Sequence, residues 1–115
     1  MDNLRFITKK KVLPKTDVSI TIVGKKEAVV SIIVRNGKEK QITKTGYVSV
    51  AVSGDRLYFK EETEELGYKL TSKASKTTFQ TSIRDDDLVD YAITHSGDYY
   101  LMFDKKLKLF YIDAE

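Results

Sequence analysis

Apolar and polar residues alternate along much of this chain, and the alternation predicts strands. In DVSITIV, Val18, Ile20 and Ile22 fall on one side while Ser19 and Thr21 fall on the other, the period of a half-buried strand. A turn is expected at Gly24-Lys25-Lys26. EAVVSIIVR then reads as a central strand, apolar on both sides. Asn36-Gly37 favours the positive φ angles of a type I′ turn, so a hairpin is expected there. Its return strand would be KEKQITK, a polar edge whose lysines discourage edge-to-edge pairing.

GYVSVAVSGDRLYFKEE, residues 46–62, predicts a second hairpin. Val48, Val50 and Val52 share a face, Ser53-Gly54-Asp55 turns the chain, and Leu57 and Phe59 continue the apolar face on the return. Acidic EETEEL and Gly67 interrupt the pattern before GYKLT. Lys73-Ala74-Ser75-Lys76 reads as a loop, and TTFQTSI as a strand rich in β-branched residues. One helix is expected at about 85–95. Ser82 or Asp85 can cap it, Asp85, Asp86 and Asp87 suit the positive end of its dipole, and Leu88 and Ala92, with Tyr91, form its apolar stripe. His95-Ser96-Gly97 supplies the stop. DYYLMFD and KLKLFYI then form a closing hairpin over 98–112, turned at Lys105-Lys106. No linker, repeat or low-complexity tract divides the chain, so residues 1–115 read as one domain.

Composition narrows the chemistry. The chain has no cysteine and one histidine, which removes disulfides, thiolate catalysis and Cys-ligated zinc and suits a reducing cytoplasm. The opening residues lack the apolar run of a signal peptide, and nothing approaches a membrane-spanning stretch. Catalysis needs a reactive group with an orienting partner. His95, at a helix end, reads as a capping or surface residue instead. Asp85, Asp86 and Asp87 point in different directions on a helix and cannot converge on one metal ion. Glu61, Glu62, Glu64 and Glu65 read as a solvated turn. No glycine pattern marks a phosphate loop. The expectation is a non-enzyme without metal or cofactor.

Charge and aromatics point to a surface. Residues 1–60 hold 13 lysines and arginines against five acids, and residues 61–115 hold seven against 12. Such asymmetry suits a polyanion-binding face, unless folding mixes the charges. Opposite the valine face, the period of two puts Tyr47, Ser49 and Ala51 beside Arg56, Tyr58 and Lys60. Arg35 on the neighbouring strand can join them, with Lys38, Lys40 and Lys44 at the rim. Tyrosines on a basic sheet can stack bases while cations follow phosphates. Cross-strand Tyr–Arg and Tyr–Lys pairs also stabilise ordinary sheets.

Several strands, one helix and a closing hairpin follow the element order of an OB-fold, so the expected class is mainly β: an OB-fold-like small barrel. Over residues 17–112 this order resembles the small single-stranded DNA-binding proteins of bacteriophages of Gram-positive hosts. The resemblance implies low sequence specificity, a role in phage DNA replication or recombination in the bacterial host cytoplasm, and assembly into homo-oligomers. It also implies phage or host recombination proteins as further partners. It places the ligand face on the tyrosine hairpin and a second contact at Lys105 and Lys106. Two features depart from the family: extra strand candidates before the helix, and YIDAE where bacterial members carry a long acidic tail that recruits partners. The alternative is a phage-encoded protein-interaction module regulating a host enzyme, with tyrosine and arginine as its contact residues. A virion assembly protein is a third reading.

Overall fold

The structure, a computed structural model of the 115-residue chain, describes residues 16–24, 28–72 and 77–114. The 73–76 loop and most of the turn expected at 24–26 lie outside them. Twelve elements follow in order: β1 (Val18–Val23), β2 (Val29–Val34), α1 (Glu39–Ile42), β3 (Tyr47–Ser53), β4 (Arg56–Glu62), β5 (Tyr68–Lys69), β6 (Thr71–Ser72), β7 (Phe79–Ile83), α2 (Asp86–His95), β8 (Gly97–Tyr99), β9 (Met102–Asp104) and β10 (Leu109–Asp113). The class is mainly β, and α2 is the one described helix longer than a single turn.

The strands form two antiparallel sheets, ordered β6-β7-β2-β1-β8 and β5-β3-β4-β10-β9. In the first, Val18 faces Val34, Ile20 faces Ile32 and Ile22 faces Val30, so the apolar sides of neighbouring strands coincide. In the second, Val52 faces Leu57, Val50 faces Phe59, and Phe59 faces Phe110 in turn. The two apolar faces meet in one core containing Ile20, Ile32, Leu57, Phe59 and Ile112. Burying each such side chain contributes about 1.5–3 kcal/mol. Leu88, Tyr91 and Ala92 of α2 join it, with the helix lying against β1, β2 and β3.

Among the described residues the hydrogen bonding does not close into the expected barrel. The chain itself joins the sheets at both edges: β5 leads through buried Leu70 into β6, and β8 leads through Tyr100 and Leu101 into β9. The expected closing hairpin is therefore divided. Residues 97–99 pair with β1, and only 102–104 pair with β10. Asp17 enforces the break, because its backbone N–H donates to the Tyr99 carbonyl (2.9 Å) and its carboxylate accepts from the Leu101 N–H (2.9 Å).

The return strand expected at 38–44 is also absent. Asn36 (φ 60°) and Gly37 (φ 71°) do make a positive-φ turn, closed by the Lys38 N–H to the Arg35 carbonyl at 3.0 Å. Both edges of β2 are already taken, by β1 and β7, so a returning strand has nothing to pair with. Glu39, Lys40 and Gln41 favour helix, and a single helical turn forms. The other hairpin and α2 follow expectation. Ser53 faces Arg56 across Gly54 and Asp55, and the Asp85 side chain caps α2 by accepting from the Leu88 N–H at 3.1 Å.

Gly67 marks a close approach. A Cβ there would lie 2.7 Å from Glu62 Cβ and 2.8 Å from Tyr47 Cβ. Gly67→Ala is expected to lower stability by about 1–3 kcal/mol, as overpacking does. Urea unfolding checks this: a lower midpoint with an unchanged slope is the expected result.

Candidate binding face

The outer side of the second sheet is the surface the sequence singles out, and its strand register assembles it. Tyr47, Ser49 and Ala51 of β3 lie beside Glu62, Lys60 and Tyr58 of β4. Tyr58 faces Tyr111 and Arg56 faces Asp113 of β10, and Tyr111 faces Met102 of β9. The expected grouping of Tyr47, Tyr58, Arg56 and Lys60 on one face is thus present.

Tyr47 is set by the segment between α1 and β3. The Thr43 hydroxyl donates to the Tyr47 carbonyl (2.9 Å) and the Thr45 hydroxyl to the Glu62 carbonyl (2.5 Å). The Leu70 N–H donates to Gly46 (2.9 Å), tying the segment to the β5–β6 crossing. Glu61 closes it from beneath, accepting from the Lys44 N–H and, at 3.2 Å, the Thr45 N–H. These donors, Lys44 foremost, hold the Glu61 carboxyl below its ordinary range.

Arg56 is engaged on every side. Its Nε donates to Asp113 Oδ2 at 3.1 Å and its Nη1 to the Tyr58 hydroxyl at 3.3 Å. Asp104 Oδ2 lies 3.9 Å from Nη1. The guanidinium carbon sits 4.5 Å from the centre of the Tyr111 ring, a cation–π contact. The hydrogen bonds to Tyr58 and Asp113 raise its pKa, so it stays charged. The Tyr58 and Tyr111 rings lie 5.4 Å apart. Lys60 approaches Glu62 at 4.0 Å, and Glu62 also accepts from the Ser49 hydroxyl at 2.8 Å.

Two consequences differ from the sequence expectation. The cations of this face are matched by carboxylates: Arg56 by Asp104 and Asp113, Lys60 by Glu62. Tyr47 and Tyr58 are half-buried and Tyr111 is buried, so the rings pack against their neighbours. Tyr111, Asp113 and Asp104 were not singled out from the sequence. The alternation of Leu109, Tyr111 and Asp113 against Phe110 and Ile112 is the signal that could have placed them.

Arg35 does not join the face. It follows β2 of the other sheet, where it donates to the Thr16 hydroxyl (3.3 Å) and to Ser19 and lies 3.6 Å from Asp98. Lys38 and Lys40 sit at α1 and Lys44 beyond it, not on a sheet strand. Lys105 and Lys106 are exposed in the β9–β10 turn, where Asp104 accepts the Lys106 N–H at 2.8 Å and the Leu107 N–H at 3.0 Å.

Elsewhere, His95 Nε2 lies 3.3 Å from Asp55 Oδ1, and the Tyr91 hydroxyl donates to the Asp55 carbonyl at 2.9 Å. The β3–β4 turn is thereby docked on α2. Between α2 and β3 lies an open cleft of about 660 Å³, floored by Val50, Ile83 and Leu88 and edged by Asp85, Asp87 and Asp90, a sign of charge that repels polyanions. Among the described residues no three acids or histidines group as a metal site, and no helix is long and apolar enough to cross a membrane. The chain matches no family model, no curated protein and no solved structure.

The Glu61 contacts give a pH prediction. A carboxyl whose pKa is lowered on folding stabilises the fold above its unfolded pKa, and that contribution is lost as pH falls through the folded value. Protection of the Lys44 and Thr45 amides, taken against the intrinsic exchange rate at each pH, should therefore fall on acidification below the ordinary carboxylate value of 4.5. Glu61→Gln should remove this pH dependence; hydrogen exchange read by NMR checks both.

Proposed function

We infer that this chain is a non-catalytic protein-interaction module that docks its partner along the β9 edge. The carrying observation is the company that edge keeps. Tyr100, Met102, Phe103 and Leu107 are 48–59% exposed, on or beside a strand with no described neighbour on its far side. Natural sheets usually blunt such an edge. An extended segment can add to it through backbone hydrogen bonds while its side chains meet the apolar residues. Aromatic, methionine and arginine side chains are the types enriched in interfaces. Lys105, Lys106 and Lys108 border the edge and favour an acidic partner segment. Arg56, held by Asp104 and Asp113 and in contact with Tyr58 and Tyr111, gives the docking edge a rigid flank.

Single-stranded nucleic acid is the second reading, in the manner of the phage DNA-coating proteins. The exposed Lys105 and Lys106 beside an aromatic edge favour it. Compensation of Arg56 and Lys60 and the packed state of the rings weigh against it, because stacking needs an open ring face.

Photocrosslinking in the full-length chain tests the first reading. Benzoylphenylalanine at Met102 should give a discrete protein adduct that Phe103→Glu suppresses, while the same label at Ser82, exposed on the other sheet, should not. Equal adducts at both positions contradict it. Labelled single-stranded oligonucleotides at two salt concentrations test the second. Salt-sensitive binding that falls with Tyr58→Ala and with Lys105→Ala would favour nucleic acid over protein.

A further inference from the structure

A second cavity lies at the corner where the chain crosses between the sheets, away from the β9 edge. It measures about 440 Å³ and is lined by Glu39, Lys40, Thr43, Lys44, Leu70 and Phe79, with Gly46. That volume is in the range of small-molecule sites. Leu70 also belongs to the packed core, where with Ile32, Ile42, Val48 and Phe59 it surrounds a space with no room for water. The wall is largely apolar, and one polar group in it is out of place. Glu39 is only 7% exposed, and its Oε1 is fully buried with no hydrogen-bond partner.

A carboxylate is an acceptor with no donor of its own, and burying it without a donor is strongly unfavourable. The neighbouring groups do not relieve it. The Thr43 hydroxyl lies against Tyr47 and Thr45 and accepts from the Gly46 N–H. Among the described residues no lysine or arginine forms an ion pair with Glu39; Lys40 and Lys44 are exposed at the mouth. The cavity is thus an apolar site walled in part by a carboxylate whose Oε1 is unmatched and closed to water, with two positive charges outside.

We propose that this cavity binds a small organic molecule with an amine or amidine head, an apolar body and no second positive charge. The head donates to Glu39, a charge-assisted bond stronger than a neutral one. The Phe79 ring and Leu70 take the apolar body, with the ring face also favourable to the cation. Lys40 and Lys44 repel a second cation at the mouth and accept a neutral or anionic tail. The site is independent of partner docking at β9, which lies on the opposite edge of the second sheet from β5.

The test is an amide NMR titration of the full-length chain with benzamidine, with neutral benzamide and with the dication 1,4-diaminobutane. Benzamidine should shift Thr43, Lys44, Gly46, Leu70 and Phe79 saturably, and the other two should bind at least about tenfold more weakly, a difference of about 1.4 kcal/mol. Glu39→Gln keeps the shape and should abolish the preference for benzamidine over benzamide. Should Glu39→Gln fail to give a folded spectrum, Phe79→Leu in its place should weaken benzamidine and leave the rest of the spectrum unchanged. No saturable shift at these residues, equal binding of benzamidine and benzamide, or benzamidine binding unchanged by either variant would overturn the proposal.

Discussion

Each of the two sheets has an apolar face, and the two can leave water only by packing on each other. The rest of the structure follows from how the chain meets that constraint. Ile20 and Ile32 on one sheet and Leu57, Phe59 and Ile112 on the other reach full or nearly full burial in one shared core. To keep them there the chain passes from β2 to β3 through α1, joins the sheet edges twice more, at Leu70 and at Tyr100-Leu101, and docks the β3–β4 turn on α2 through Asp55, Tyr91 and His95. Leu70 is buried at its crossing while Tyr100 is exposed at the other. Ladder hydrogen bonding stops at both places. These interruptions are where the molecule has surface to offer: the Glu39 cavity at the first, and the aromatic edge at the second.

The outer side of the second sheet behaves differently, because its polar groups satisfy one another. Arg56 joins β4 to β10 and β9 through Asp113, Asp104, Tyr58 and Tyr111, so four side chains around one guanidinium fix the relative placement of three strands. Exposed ion pairs contribute little individually. What this cluster supplies is geometry, since a planar guanidinium held by hydrogen bonds and a ring face has few alternative positions. A face organised in this way presents a fixed shape with little net charge. That favours shape-matched contact over the long-range attraction a polyanion would need.

Much of this was legible in the alternation of residues. Period-two patterns found β1, β3 and β4, a run apolar on both sides found β2, and the valine side of 46–62 separated correctly from its tyrosine side. Three aspartates before Leu88 located α2 through the chemistry of helix starts. The illegible parts depend on what lies beside a segment in space. KEKQITK has a strand-compatible polarity, but the edge it needed is occupied by β7, more than 30 residues later in the chain. Arg35 follows a strand that sequence order places near the tyrosine hairpin, yet that strand belongs to the other sheet. Charge counts found the basic half without showing that Asp104 and Asp113, from the acidic half, would fold onto Arg56. Glu39 reads as an ordinary surface residue, and only the crossing at Leu70 encloses it.

The central claim is that the cations and rings of the second sheet's outer face are bound to each other. The Arg56 side-chain Nε–H resonance reports on this most directly. The account predicts one sharp signal, slow to exchange with water, showing contacts to the Tyr111 ring and keeping its position as salt is raised through and beyond the physiological range. A signal averaged by fast exchange, without ring contacts and moving with salt, would mean a mobile guanidinium free to meet phosphate, and would contradict it.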